Sequence, residues 1–292
     1  MPTRTESREM TDETREAVAF VPGHVTGFFS VHRRADPARS GSRGAGLTLS
    51  DGVTVRVWPA PTRSISLDDE SVSLEPVERV LDALEASVAV EAKSDLPLGA
   101  GFGVSGALAL GTALATNRVA TCGLTENELV RTAHVAEVRS ETGLGDVVAQ
   151  ARGGVPIRKE PGAPPHGEID AIPDRTRIEY VTFGDLSTAA VLSGDTDRLS
   201  TAGQEALDSL LLDPTLETFF DESYRFARDV GLLTETVRET VEAVHDAGGL
   251  ASMAMLGRTV FALGTGLSDA GYDASVTETN VAGGCLLSFR DF

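Results

Sequence analysis

Asp95-Leu-Pro-Leu-Gly-Ala-Gly-Phe-Gly-Val-Ser-Gly-Ala107 lies between an apolar stretch at residues 88–93, read as a strand, and an alanine- and leucine-rich stretch read as a helix to about residue 120. Gly99, Gly101, Gly103 and Gly106 crowd the junction. Without Cβ atoms, glycines let main-chain N–H groups close on a ligand, and the helix N-terminus that follows adds partial positive charge. The place therefore suits an anion such as phosphate. Taken alone, the glycines leave three readings open: a phosphate cradle, a dinucleotide fingerprint and a packing turn. A Walker A loop is excluded, because no Gly-Lys-Ser or Gly-Lys-Thr follows. Gly101-Phe-Gly103-Val-Ser-Gly106 has the fingerprint spacing, but that motif belongs inside a βαβ unit. Here the helix leads to another helix, opened by the capping box Thr125-Glu-Asn-Glu128.

Working outward toward the N-terminus, Val77, Val80, Leu81, Leu84 and Val88 fall at helical spacing, and Val53, Val55 and Val57 alternate with Thr54, Arg56 and Trp58 as a half-buried strand. Residues 41–46 read as a flexible loop, and residues 17–21 as a short strand ended by a Pro22-Gly23 turn. Toward the C-terminus, the capped helix runs to about Arg139, a Gly143-Leu-Gly145 turn follows, and a short helix from Asp146 is stopped by Gly153-Gly154. Residues 161–167 hold three prolines and two glycines and are the expected domain boundary. Beyond it, residues 177–183, 189–192, 253–263 and 285–289 read as strands, the third of them part helical. Residues 203–212, 214–231 and 234–247 read as helices. Strands and helices mix without strict alternation, so the expected fold class is α+β.

The formal net charge is −19, from 44 acidic and 25 basic residues, and only Lys93 and Lys159 are lysines. Such a chain lacks the clustered cations that nucleic acid or an anionic membrane surface requires. Dense carboxylates with few lysines suit a protein kept soluble at high salt, where screening over about 3 Å at 1 M removes most self-repulsion. Cys122 and Cys285 are too few and too far apart for a disulfide framework or a metal cluster; they fit a reducing cytoplasm as small hydrophobes. No apolar run approaches the ~20 residues needed to span a bilayer. Residues 1–16 are polar and charged and read as a disordered extension rather than a signal peptide.

The stretch from Pro97 to Ala107 resembles the phosphate-binding motif of the GHMP kinase superfamily, in which a proline, alternating glycines and a serine lead into a long helix. That resemblance implies ATP binding by Pro97, Gly99, Ala100, Gly101, Phe102, Gly103, Val104, Ser105, Gly106 and Ala107, with the Ser105 hydroxyl meeting Mg2+ or the phosphates. By position alone Ser105 is also an N-cap candidate. Ala136-Glu137 resembles the superfamily position whose glutamate helps hold Mg2+, and Gly145-Asp146 the segment carrying the catalytic aspartate. Read singly, Glu137 is a solvated helix charge and Asp146 a helix cap. Phosphoryl transfer needs a group that orients the attacking hydroxyl, and a carboxylate at a helix N-terminus stays ionised to do so.

Val21-Pro-Gly-His24-Val-Thr26-Gly27 resembles the first motif of the superfamily, with His24 where lysine is common. Together with the glycine-flanked Arg43, it is similar to the branch that phosphorylates pantoate in archaea. The resemblance implies that His24, Thr26 and Arg43 meet this small-molecule substrate, Arg43 offering its carboxylate a two-pronged fork. Arg43 otherwise reads as a solvated surface arginine and His24 as a structural histidine. The stretch from Ala251 to Phe261 stands where the third motif belongs but is glycine-poor, and its methionines read as core. The fold implied is α+β: residues 17–165 as a ribosomal protein S5 domain 2-like unit binding ATP and substrate, and residues 166–292 as a ferredoxin-like unit. A homodimer is compatible with the resemblance, though no patch in the sequence marks one. The alternatives are a GHMP kinase for homoserine or mevalonate, an NAD-binding oxidoreductase, and a nucleotide-binding module without catalysis.

Overall fold

The structure, a computed structural model, describes residues 16–185, 196–255 and 257–288. Two long strands, β1 (Ala17–His32) and β2 (Gly41–Pro59), pair antiparallel from Ala17 opposite Val57 to His32 opposite Gly41, with register shifts at Pro22/His24 and Thr26/Phe28. The sequence led us to expect a turn at Pro22-Gly23 and a loop over residues 41–46; both are strand. Pro22 has no N–H to give a ladder, and the shift beside it absorbs the missing bond as a bulge does. The glycines near residue 44 serve close approach rather than flexibility: Gly44 and Ala45 also pair with Arg158 and Ile157 on the far side.

The large sheet runs β12 (Cys285–Leu287), β1, β2, β5 (Val88–Ser94), β3 (Ser64–Leu67), β4 (Glu70–Ser71), and β6 (Val155–Glu160) pairs with both β2 and β7 (Glu168–Ile172). The helices α1 (Glu75–Ala83) and α3 (Glu126–Arg139) pack on α2 (Val104–Ala120), and α2 with α4 (Asp146–Arg152) packs against this sheet. Thirteen of the seventeen residues of α2 are buried, as expected of a helix that is apolar on every face. Its position at the centre fixes the glycine loop that precedes it. The Thr125 N–H donates to the Glu128 carboxylate at 2.8 Å, so the predicted capping box opens α3. Because α2 leads to α3 and not to a strand parallel to β5, the glycine loop lies outside any βαβ unit.

The second sheet has the order β11 (Ser275–Glu278), β8 (Arg177–Asp185), β10 (Gly257–Leu263), β9 (Ala251–Ala254), all antiparallel. Between β8 and β9 come α5 (Thr196–Leu212), α6 (Leu216–Asp229) and α7 (Glu235–Asp246), and α8 (Gly266–Asp269) joins β10 to β11. Numbered along the chain, these four strands lie in the order 4-1-3-2, which is the split βαβ arrangement of ferredoxin-like units. The fold is α+β, as expected. The strand expected at 189–192 lies outside the described residues, as do residues 1–15 of the N-terminal extension.

Residues 161–167 form the loop of the β6–β7 hairpin inside the large sheet; the chain leaves that sheet after Ile172, and β12 later returns to it. Proline and glycine mark a tight connection as readily as a linker, so composition could not distinguish the two. The halves share one apolar core. Phe28 of β1 lies 6.3 Å from Phe219 of α6, and Phe219 and Phe220 lie 6.2 and 5.1 Å from Phe261 of β10.

Candidate active site

The glycine loop is held on three sides. The His24 N–H of β1 donates to the Phe102 carbonyl at 2.9 Å, the Thr259 hydroxyl of β10 to the Ala100 carbonyl at 2.8 Å, and the Gln150 amide of α4 to the Gly103 carbonyl at 2.9 Å. Phe102 is buried edge-on to Tyr180 of β8 at 4.9 Å. Gly99, Gly101 and Gly103 all have positive φ, a conformation that turns successive N–H groups to one side. Gly103 caps α2, and the first-turn N–H groups of Val104, Ser105 and Gly106 find no acceptor among the described residues. Ser105 is thus inside the first turn and not its cap.

The glycine-poor C-terminal stretch explains itself here. Gly257 lies flat on the loop: a Cβ there would overlap the Ala100 carbonyl, and one on Gly101 would come within 3.1 Å of the Gly257 backbone. One glycine at the contact is enough. Met255, whose N–H donates to the Thr26 carbonyl at 2.9 Å, closes the same side.

In front of the loop is a cavity of about 420 Å³. Gly99, Gly101, Phe102, Gly103, Val104 and Ser105 form one wall; Thr26, Asp146, Thr142 and Met255 contribute to the rest. Of the other residues singled out in the loop, Pro97 is exposed outside it, while Ala100, Gly106 and Ala107 are buried behind it.

Behind Ser105 sits Glu137 of α3, 2 % exposed. Its Oε1 accepts from the Ser105 hydroxyl at 2.6 Å and from the Thr142 hydroxyl at 2.9 Å. Burial pushes the Glu137 carboxyl up to about 7, with the nearby Asp146 charge adding to the rise and the two hydroxyls opposing it. A carboxyl held this way favours a cation beside it. Asp146, the first residue of α4, keeps 22 % of its side chain exposed to the cavity. Burial works to raise its pKa, but the hydrogen bond from His24 and the Arg158 guanidinium hold it below the ordinary carboxylate range. It is an ionised acceptor at neutral pH.

His24 is fully buried and lies beneath Asp146, with Nδ1 2.7 Å from Oδ1; the sequence had placed it on substrate. Arg43 is engaged elsewhere: Nε donates to the Lys159 carbonyl at 2.6 Å and Nη1 to Gln204 at 2.7 Å. The cation that the structure brings beside Asp146 is instead Arg158 of β6, 2 % exposed. Burial lowers its pKa to about 10, so it remains charged, and its buried Nε and Nη1 have no partner among the described residues. Arg158 also borders a smaller space between α3, α4 and the β6–β7 loop. No local signal in Val-Pro-Ile-Arg158-Lys-Glu marks it; its burial comes from β6 pairing with β2 on one side and β7 on the other.

The family described as GHMP kinases N terminal domain matches residues 74–154, which span α1 to α4 and contain the glycine loop, Glu137 and Asp146. A pantoate kinase of Methanocaldococcus jannaschii is 36 % identical over 251 residues, covering 84 % of this chain and 91 % of that one. A pantoate kinase of Methanospirillum hungatei is 35 % identical, covering 86 % and 89 %. Among solved structures, a phosphotransferase related to the CoA biosynthesis pathway superposes with a TM-score of 0.84 at 31 % identity, covering 94 % of this chain and 99 % of that one. A homoserine kinase from Cytophaga hutchinsonii has a TM-score of 0.68 at 16 % identity over 98 % of this chain and all of that one, a likeness of fold alone.

Proposed function

Because the chain belongs to the pantoate kinases of the GHMP kinase superfamily, it transfers the γ-phosphoryl group of ATP to the primary hydroxyl of pantoate in coenzyme A biosynthesis, and we propose how the residues of this cleft divide that work. The observation that carries the assignment is a single cavity walled on one side by the glycine loop and on the other by an ionised aspartate.

The triphosphate lies on the loop and the first turn of α2, where the unpaired N–H groups of Val104, Ser105 and Gly106 supply donors and the helix end supplies partial positive charge. Local donors matter here, because a chain of net charge −19 repels an anionic nucleotide at long range. Ser105 and Glu137 place a hydroxyl and a carboxylate 2.6 Å apart at the loop, a hard-oxygen pair that fits Mg2+. Among the described residues no group of three His, Cys, Asp or Glu could hold a metal ion by itself, so in this reading the phosphates share the ion with Ser105 and Glu137. Bound there, Mg2+ supplies charge neutralisation for the phosphates.

Asp146 accepts a hydrogen bond from the primary hydroxyl of pantoate and orients its oxygen toward the γ-phosphorus. As that oxygen bonds to phosphorus, the bond to the β–γ bridging oxygen breaks with its electrons going to ADP, and the hydroxyl proton passes to Asp146 and on to solvent. Arg158 takes the pantoate carboxylate with its unpartnered Nε and Nη1, replacing the Arg43 of the sequence expectation. Thr26 borders the acceptor side of the cavity. No described helix is long and apolar enough to cross a membrane, and we read the acidic surface as adaptation to a high-salt archaeal cytoplasm.

The test is ADP release by purified protein with pantoate, homoserine and mevalonate as acceptors, with the product identified by phosphorus NMR. Turnover with pantoate alone, giving a phosphate monoester on the primary carbon, is expected. Preferred turnover of either other alcohol contradicts the assignment.

A further inference from the structure

The mechanism above uses Asp146 but leaves a fully buried histidine directly beneath it. We propose that His24 is a positioning residue: a neutral, fixed hydrogen-bond donor that locks Asp146 so that one carboxylate oxygen is tied down and the other is presented to the acceptor. The Nδ1···Oδ1 distance is 2.7 Å, and an ionised carboxylate only accepts, so the proton sits on Nδ1. Complete burial keeps the ring neutral, against the pull of Asp146 and with the help of Arg158. The other nitrogen, Nε2, is buried without a partner among the described residues and faces Gly46 of β2, where any Cβ would overlap the ring. The His24 ring therefore acts through one atom only. With Oδ1 so held, Oδ2 turns toward Gly143, where a built Cβ would lie 3.3 Å away.

The same residue also ties down the phosphate side, since its N–H donates to the Phe102 carbonyl at 2.9 Å. One residue of β1 thus spaces the loop that holds the phosphoryl donor from the carboxylate that aligns the acceptor. Near-attack geometry depends on that spacing, and a misplacement of about 1 Å can cost roughly 100-fold in rate. Beside Asp146 the donor and the charge are divided, the donor on His24 and the charge on Arg158. This inference rests on Asp146 being the group that meets the acceptor hydroxyl.

Three substitutions test it. His24→Asn puts an N–H donor near the place of Nδ1, His24→Gln puts one near the place of Nε2, and His24→Leu provides none. Nucleotide affinity and thermal midpoint are measured beside kcat and KM for pantoate, with Asp146→Asn as reference. The expected result is a kcat about 10- to 100-fold lower for Leu and Gln, with nucleotide affinity within about twofold of wild type. Recovery by Asn to within about fivefold of wild type is also expected. Equal kcat for Leu and wild type, or equal loss in Asn and Gln at matched thermal midpoints, overturns the proposal. Should the Leu variant not fold, the Asn–Gln difference decides alone. If Asp146→Asn turns over normally, the role given to Asp146 fails; if it is inactive while His24→Leu is normal, only the inference about His24 fails.

Discussion

Glu137→Gln should make the protein more stable and less active, and both effects follow from the same buried carboxyl. Glu137 is 2 % exposed and titrates in the folded chain at about 7, against an ordinary 4.5. Its folded pKa is raised, so the folded state binds more protons than the unfolded state between these values, and stability falls as pH rises through that window. Above pH 7 the full cost is present, about 3 kcal/mol at roughly 1.4 kcal/mol per unit. Glutamine carries no charge to desolvate, and its Oε1 can still accept from Ser105 and Thr142, as Glu137 Oε1 does. In metal-free buffer at constant high salt, denaturant titration should show the variant more stable than wild type by about 2–3 kcal/mol at pH 8, shrinking to less than about 1 kcal/mol at pH 5. Saturating Mg2+ and ATP should narrow the pH 8 gap, because only the carboxylate rewards the cation, and kcat should fall with the lost ligand. A variant no more stable than wild type at pH 8, or a gap that does not change with pH, refutes the reasoning.

Arg158→Met, which keeps bulk and removes charge, should raise KM for pantoate at least tenfold while leaving KM for ATP within about threefold, as expected for loss of a charge-assisted contact to one substrate; steady-state kinetics with each substrate varied in turn will show it. In the same assay Arg43→Ala should leave KM for pantoate near wild type and lower the thermal midpoint, since its bonds go to Lys159 and Gln204. Gly257→Ala should weaken nucleotide binding by forcing the loop away from its Ala100 contact, which calorimetric titration with ADP measures. Lowering salt from molar KCl to dilute buffer should unfold the chain at constant temperature, followed by circular dichroism, as screening of the −19 net charge is withdrawn.

The parts legible in the sequence were those whose meaning is local. The glycine loop, the capping box at Thr125 and the short helix from Asp146 to its Gly153 stop were marked by spacing and by end signals within a few residues; the three long helices of the second half were marked by apolar spacing alone, and the first of them starts at Thr196, seven residues before the expected 203. What escaped was set by pairing across the chain. Arg158 is one arginine among many until β6 is inserted between β2 and β7. Gly257 is one glycine in an apolar strand until β10 meets the loop more than 150 positions earlier, with Thr259 to Ala100 as the neighbouring bond. Residues 41–46 looked flexible because glycine serves both loops and close-packed strands, and only the β1 and β6 partners decide between them. His24 was singled out by the motif, but its direction, toward Asp146 and away from the cavity, depends on the bulge at Pro22/His24.

The most direct test of the whole account is a crystal structure of the Asp146→Asn variant with ATP, Mg2+ and pantoate. The account predicts phosphate oxygens on the amides of Val104, Ser105 and Gly106, the metal beside Ser105 and Glu137, and the pantoate primary hydroxyl at residue 146 with its carboxylate on Arg158. A triphosphate bound away from those amides, or pantoate with its carboxylate on Arg43, contradicts it.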